Sequence, residues 1–391
     1  MFLVLAASGQ AATFRVLHEF GGVAGDGFYP HGSLIAIGST LYGMTSAGGP
    51  DASSSFIGSG TIFQIGTDGS NYSILHAFGT NHDGIDPEGS LVASGSTLYG
   101  TTLNDVFAIG TDGTGFNVLH TFAGGSSDGQ SALYSTPTLS GSTLYGVTSL
   151  GGTSNQGTLF QIGTDGTGFS LLHSFNATTD GENPIGAPLL SGSVLYGMTQ
   201  SGSGSTTGAG TIYQIGVDGT NFTDLHNFGH TPNEPGHPYG SLIQNGSALF
   251  GMDPGINQFG NNSLFTVNTN GTGFTLLHTY TSFGGGAGSF LLSGTTLYGM
   301  SGNAVFEMNL DGSGYTTLHT FTGADGAGPA DALIMVGNTL YGMTTTGGND
   351  GGTIFSITVP EPSSLLLGTL GTLALAGYAL RKKRAANRLR P

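Results

Sequence analysis

Three groups of residues in this 391-residue chain could do chemistry. The first is seven histidines, His18, His76, His120, His173, His226, His278 and His319, each in a Leu-His-x-aromatic tetrapeptide. Histidine is the commonest metal ligand and transfers protons near neutral pH. The second is a set of aspartates followed by glycine, Asp26, Asp83, Asp128, Asp180 and Asp325, with Asp86, Glu88, Glu182 and Glu234 close by. Carboxylates beside the carbonyls of glycine-rich loops are the hard oxygen donors that calcium takes. The third is Gly125-Ser126-Ser127-Asp128-Gly129, which matches the G-x-S-x-G of hydrolytic serines.

Spacing weighs against most of this. No HExxH or other paired-histidine pattern occurs, and the remaining His31, His82, His230 and His237 fall in loops. A serine nucleophile elbow needs a strand-to-helix turn, whereas this match lies in a Gly/Ser-rich β chain, so it reads as chance. The turns at Asp68, Asp112, Asp165, Asp218, Asn270 and Asp311 lack the D-x-D-x-D-G ligand series and read as hairpins. The chain has no cysteine, which excludes disulfides, thiolate metal sites and a cysteine nucleophile.

The elements that carry these residues form a repeat. Leu-Tyr-Gly recurs at Leu41, Leu98, Leu144, Leu195, Leu297 and Leu340, with Leu249-Phe250-Gly251 as a variant, at spacings of 57, 46, 51, 54, 48 and 43. Short strands at that period indicate a β-propeller. One unit reads as strand a at 33–37, strand b at 40–45, a variable loop, strand c at 61–65, an Asp-Gly hairpin and strand d at 72–78. Alternation places Tyr72, Ile74, His76 and Phe78 on one face of strand d. The expected architecture is all-β: seven blades of four antiparallel strands over residues 13–358. There are seven Leu-His strands but only six hairpin turns, so the N-terminal strand at 13–20 should complete the blade that ends with strand c at 352–357. In such a ring the seven histidines stand tens of ångströms apart, too far to share a metal with bonds of about 2 Å. They are expected to hydrogen-bond between blades. The acidic d–a connections and the long b–c loops should share one face, the natural place for binding on a rigid scaffold.

Charge narrows the partners. Between Thr13 and Val359, 22 acidic residues stand against a single arginine, Arg15, a balance of −21. A body without cations cannot neutralise phosphates, which excludes nucleic acid. Cations and neutral polymers remain. Glycine is 73 of the residues, which argues against long helices, since each costs roughly 1 kcal/mol in a helix interior.

Both ends read as addresses. Residues 1–12 look like the late part of a secretory signal. At the other end Val359-Pro360-Glu361-Pro362 precedes an uncharged stretch at 363–380, followed by Arg381, Lys382, Lys383 and Arg384 in a basic tail at 381–391. As a helix that stretch spans about 27 Å, close to the hydrocarbon thickness of a bilayer. The basic run keeps its far side cytoplasmic and the body outside. This order resembles the PEP-CTERM sorting signal of Gram-negative bacteria. The resemblance implies processing by an exosortase-type enzyme, a membrane helix before processing, and a final place at the cell surface or in extracellular polysaccharide. The units themselves resemble GloVer-type tandem repeats and, more distantly, kelch-like blades, families that bring no firm activity.

The expectation is therefore an exported, monomeric, non-enzymatic propeller. It would bind a glycan, a cation or a surface partner through the face bearing Asp26, Asp83, Asp86, Asp128, Asp180 and Asp325. No cofactor is expected beyond weakly held calcium. The alternative is a propeller-type polysaccharide lyase or glycoside hydrolase, which would need off-pattern acidic or aromatic residues converging at one mouth.

Overall fold

A computed structural model describes residues 12–49, 59–79, 83–202, 208–229, 236–253, 262–280 and 288–360. The leader at 1–11, His82, His230, Glu234 and the apolar and basic segments from 361 onward lie outside the described residues. The rest is a seven-bladed β-propeller with no helix among the described residues. Blades 1 to 6 each run a-b-c-d in chain order, beginning with strands Ile35–Ile37, Thr40–Thr45, Thr61–Gly66 and Ser73–Ala77. Blade 7 takes strands a to c from Ile334–Val336, Thr339–Thr346 and Thr353–Thr358. Its strand d is the N-terminal Thr13–Glu19, paired antiparallel with Thr13 opposite Thr358. Closure by the first strand, expected from the missing hairpin, thus removes both open edges of the ring.

The Leu-Tyr-Gly triplet explains how blades stack. Leu41 packs toward blade 7 and Tyr42 toward blade 2, so both faces of strand b are buried. Gly43 lies opposite Phe63 on strand c, and a Cβ at Gly43 would come within 2.5 Å of the Phe63 ring. The same glycine-under-aromatic pair recurs in every blade, as Gly197 under Tyr213 in blade 4. Seven separate apolar clusters result, one at each interface between blades.

Strand d departs from simple alternation. In all seven blades its pairing with strand c slips by one residue at the leucine of Leu-His, as where Ile62 faces His76 but Phe63 faces Ile74. This β-bulge reverses the side-chain phase. Tyr72 therefore stacks on His18 of blade 7, whereas His76 stacks on Phe116 of blade 2. The two do not share a face, contrary to the alternation read from the sequence. The bulged leucine has a use. The hairpin glycine of the next blade sits over its backbone, where a Cβ on Gly113 would lie 2.9 Å from the Leu75 carbonyl oxygen. Gly113 also holds φ 81°, in the left-handed region that favours glycine.

Candidate binding site at the channel mouth

The d–a connections and b–c loops do share a face, since Gly27 and Phe28 pair with Gly48 and Ala47, and Gly129 with Gly151. The recurrent aspartates lie on this side, against the outer wall. Asp26 is buried and accepts hydrogen bonds from His18 Nε2 at 3.1 Å, the Tyr72 hydroxyl at 2.6 Å, and the Gly21 and Gly27 amides. Asp83 accepts from His76 at 2.9 Å and from the Gly79 amide. Asp128, Asp180 and Asp325 hold His120, His173 and His319 in the same way, at 3.0, 2.5 and 2.9 Å. Burial pushes the Asp180 carboxyl up, but hydrogen bonds from His173, Asn176 and Thr179 together outweigh it and hold it below the ordinary range. Burial lowers His76 against the pull of Asp83, so its ring is a neutral donor at pH 7.

Each of the seven histidines also stacks on an aromatic ring of the following blade, at centroid distances between 3.6 Å for His319 on Phe14 and 4.1 Å for His173 on Phe222. The histidines thus link blades chiefly by stacking, and each hydrogen bond to an aspartate orients the ring that stacks. Among the described residues no three His, Cys, Asp or Glu side chains group as a metal site would require. Ser127 of the G-x-S-x-G match is exposed in a turn between strands d and a, with no helix to form an elbow. The six hairpin residues cap their own turns: Asp68 accepts from the Ser70 hydroxyl and amide, which lower its carboxyl.

The inner end of the same face differs. Where strand a begins, the blades are laced around the axis. The amide of Ser33 donates to the Ser90 hydroxyl, Ser90 to Thr136, Ala187 to Ser241, Ser241 to Ser289, and Ala332 to Ser33, all at 2.7–2.8 Å. One residue earlier the backbones almost touch, and a Cβ on Gly32 would lie 2.1 Å from the Gly89 carbonyl oxygen. Blade 7 puts Asp331 at that glycine position. Its carboxylate accepts from the hydroxyls of Ser33, Ser90 and Ser289 and from the Ser289 amide, so it reaches blades 1, 2 and 6 across the axis. Burial within this ring raises its carboxyl despite those bonds.

The next position outward, toward the loops, is the one that varies. In blades 1 to 5 it holds His31, Glu88, Tyr134, Ile185 and Tyr239, and in blade 7 Ala330. Four of these converge. His31 Nε2 lies 3.8 Å from Glu88 Oε1, the His31 and Tyr134 rings are 6.1 Å apart, and Tyr134 and Tyr239 meet at 5.5 Å with planes at 63°. Glu88 is 15% exposed, and its Oε2 is buried with no hydrogen-bond partner in the protein. Burial first, and the neighbouring Asp86 second, push its carboxyl up to about 7, while an interaction with the Tyr134 hydroxyl pulls the other way. Both tyrosine hydroxyls are raised, chiefly by burial and then by surrounding negative charge, and His31 is lowered by burial. Tyr134 holds φ 58°, a left-handed conformation that costs a non-glycine residue about 1 kcal/mol or more, whereas the φ of 51° at Asp86 belongs to a turn shared with Tyr29, Asn183 and His237 in other blades.

From the sequence alone His31 and Glu88 fall in separate connections, and nothing in their own segments marks Tyr134, Tyr239 or Asp331. Aligning the units on Leu-Tyr-Gly and asking which inner position refuses to repeat would have found them.

A family model described as the Gloeobacter/Verrucomicrobia repeat matches residues 103–304, from blade 2 into blade 6. The chain belongs to this repeat family. A second model, the PEP-CTERM protein-sorting motif, matches residues 358–384 of this Gloeobacter/Verrucomicrobia repeat protein and marks it for export and sorting. No curated protein sequence matches the repeat protein. Among solved structures it is similar to an oligogalacturonate lyase in complex with manganese, at 11% identity, 90% of this chain, 98% of that chain and a TM-score of 0.54. It is also similar to the extracellular domain of the BT4673 two-component system of B. thetaiotaomicron, at 10% identity, 87% of this chain, 39% of that chain and 0.55. At such identities the likeness is one of fold.

Proposed function

We propose that this exported propeller works at the cell surface or in the extracellular matrix as a non-enzymatic, monomeric binding module, and that its ligand is a hydroxyl-rich glycan seated at the channel mouth. One observation carries the reading. Among repeats whose buried positions vary little, the inner-mouth position takes five identities in the six blades described, and it gathers two tyrosines, a histidine and a carboxylate. Aromatic faces with a few polar groups are what sugar rings need, the ring planes for their apolar faces and the polar groups for their hydroxyls. The wall carboxylates at Asp26, Asp83, Asp128, Asp180 and Asp325 each accept a hydrogen bond from a histidine, whereas Glu88 stands 3.8 Å from His31, so weak calcium binding on this face would fall to Asp86 and Glu88.

The chain leaves the propeller on the side away from the mouth. Val359 is fixed by its amide to the Asn338 carbonyl, beside the a–b turn of blade 7. An anchor helix at 363–380, cut near Val359–Pro362 by an exosortase-type enzyme, would therefore hold the mouth outward. Saturable binding of a neutral polysaccharide in a glycan screen, lost in a Tyr134→Ala/Tyr239→Ala variant that still folds, is the expected result; no binding to any glycan would overturn it. Mass spectrometry of the mature C-terminus tests the processing, and intact cytoplasmic chain ending at Pro391 would sink it.

A polysaccharide-cleaving propeller is a second reading, favoured by the Glu88 carboxyl at about 7, where a general acid works at neutral pH. Its natural second carboxylate, Asp331, is held by three hydroxyls and an amide. New reducing ends or unsaturated uronates released from the host polysaccharide would establish it.

A further inference from the structure

We infer that the channel mouth is a subsite for a cationic sugar, an amine-bearing residue of the glycan rather than a neutral one; this rests on the glycan reading above. Every charged or titratable group that faces Glu88 is negative or neutral at pH 7. Asp86 approaches from its own connection, His31 from blade 1, Tyr134 from blade 3 and Tyr239 from blade 5, with Asp331 below on the axis. Arg15, the one basic side chain among the described residues, lies on the outermost strand of blade 7. A uronate or phosphate would find no counter-charge here. A neutral sugar could donate hydroxyls to the Glu88 carboxylate but would bring no positive charge to offset it beside Asp86.

An ammonium resolves both. It pairs with the carboxylate, and it can rest against the corner that the Tyr134 and Tyr239 rings make at 63°, where the ring quadrupoles attract positive charge. No positive charge inside the fold competes for that carboxylate: the Tyr134 hydroxyl that interacts with it is neutral, and His31 at 3.8 Å is beyond hydrogen-bond distance and is held toward its neutral form. The wall carboxylates differ on this point, since each already accepts from a histidine and a backbone amide.

The consequence is a coupled proton. A ligand ammonium favours ionised Glu88, so binding releases the proton that the free carboxyl holds around pH 7. A glucosamine oligomer should bind best near neutrality, since Glu88 is protonated at lower pH and the sugar amine loses its charge at higher pH. An N-trimethylated oligomer keeps its charge, so its affinity should rise through about pH 7 and then level off.

The experiment is calorimetry of the purified protein with three hexasaccharides, glucosamine, N-acetylglucosamine and N-trimethylglucosamine, at pH 5.5, 7 and 8.5 in 0.15 M salt. The expected order is trimethylated and free amine at least tenfold tighter than acetylated. Glu88→Gln should abolish both the preference and the pH step, Tyr239→Leu should weaken the cationic ligands about tenfold, and Asp68→Asn on the opposite face should change nothing. Equal affinity for the acetylated hexamer would overturn this inference and leave the glycan reading standing. No binding of any hexamer would remove both. Cationic binding that survives Glu88→Gln and vanishes at higher salt would be attraction to the acidic body, and would also overturn it.

Discussion

The outer wall and the inner mouth of this propeller are built from the same repeat and treat it in opposite ways. At the wall, every blade presents a histidine stacked on the next blade's aromatic ring, and in the five connections described an aspartate orients that histidine. At the mouth, one position carries His31, Glu88, Tyr134, Ile185, Tyr239 and Ala330 in turn. A ring closes only if its seven interfaces agree on their angle, so the wall must repeat. A ligand has no sevenfold symmetry, so the position that meets it must not. Repetition here marks structure, and its local failure marks the surface available for recognition.

The comparison can be broken hardest at the wall. Removing residues 12–20 takes away strand d of blade 7 together with Phe14 and His18, which stack on both neighbouring blades. The expected result is loss of the cooperative melting transition and aggregation through the exposed edge of strand c, read by calorimetry and size-exclusion chromatography. An unchanged transition would mean that the ring does not depend on its first strand.

Next come the wall aspartates, which should differ among themselves. Asp26→Ala strands a histidine, a tyrosine hydroxyl and two amides around a side chain with no exposure, and should cost about 3 kcal/mol or more in chemical denaturation. Asp325, 24% exposed, leaves partners that water can reach, so Asp325→Ala should cost about 1 kcal/mol. Equal losses at both sites would show that burial is not what ranks them.

A smaller effect, of opposite sign, is expected at the mouth. The folded Glu88 carboxyl sits at about 7, above its ordinary 4.5, so the folded state holds this proton more tightly than the unfolded chain. Its contribution therefore falls as pH rises from about 4.5 through about 7 and is level above. Glu88→Gln should leave stability near pH 4.5 unchanged and raise it by roughly 1–3 kcal/mol at pH 8. A variant less stable than the parent at pH 8 would show that the carboxylate is held by the fold after all. Smallest of all, Tyr239→Phe should move stability by no more than about 0.5 kcal/mol, as expected where a residue serves a ligand rather than the ring.

Much of the wall was legible in the chain. Leu-Tyr-Gly and Leu-His-x-aromatic recur because each blade meets identical neighbours, and six hairpins for seven strands disclosed where the circle is sewn. What the residues did not disclose is the phase of strand d. The bulge at the leucine depends on how strand c and the next blade's hairpin glycine press on it, so two-residue alternation put Tyr72 and His76 on the same side. The mouth was hidden for another reason. Its members come from blades 1, 2, 3 and 5, and only ring closure brings His31 and Tyr239 to one opening. Asp331 was hidden likewise, since its partners Ser33, Ser90 and Ser289 lie 298, 241 and 42 positions away in the chain.

The seam in blade 7 also has a mechanical meaning. Strand Thr353–Thr358, which leads directly into the tail, is flanked by Thr339–Thr346 on one side and Thr13–Glu19 on the other. A pull on the tail runs along this strand's own axis, so its rungs on both sides are loaded together in shear and not opened one after another. A protein sewn shut by its first strand next to its last is fastened at the point where drag from a bound polymer would be felt.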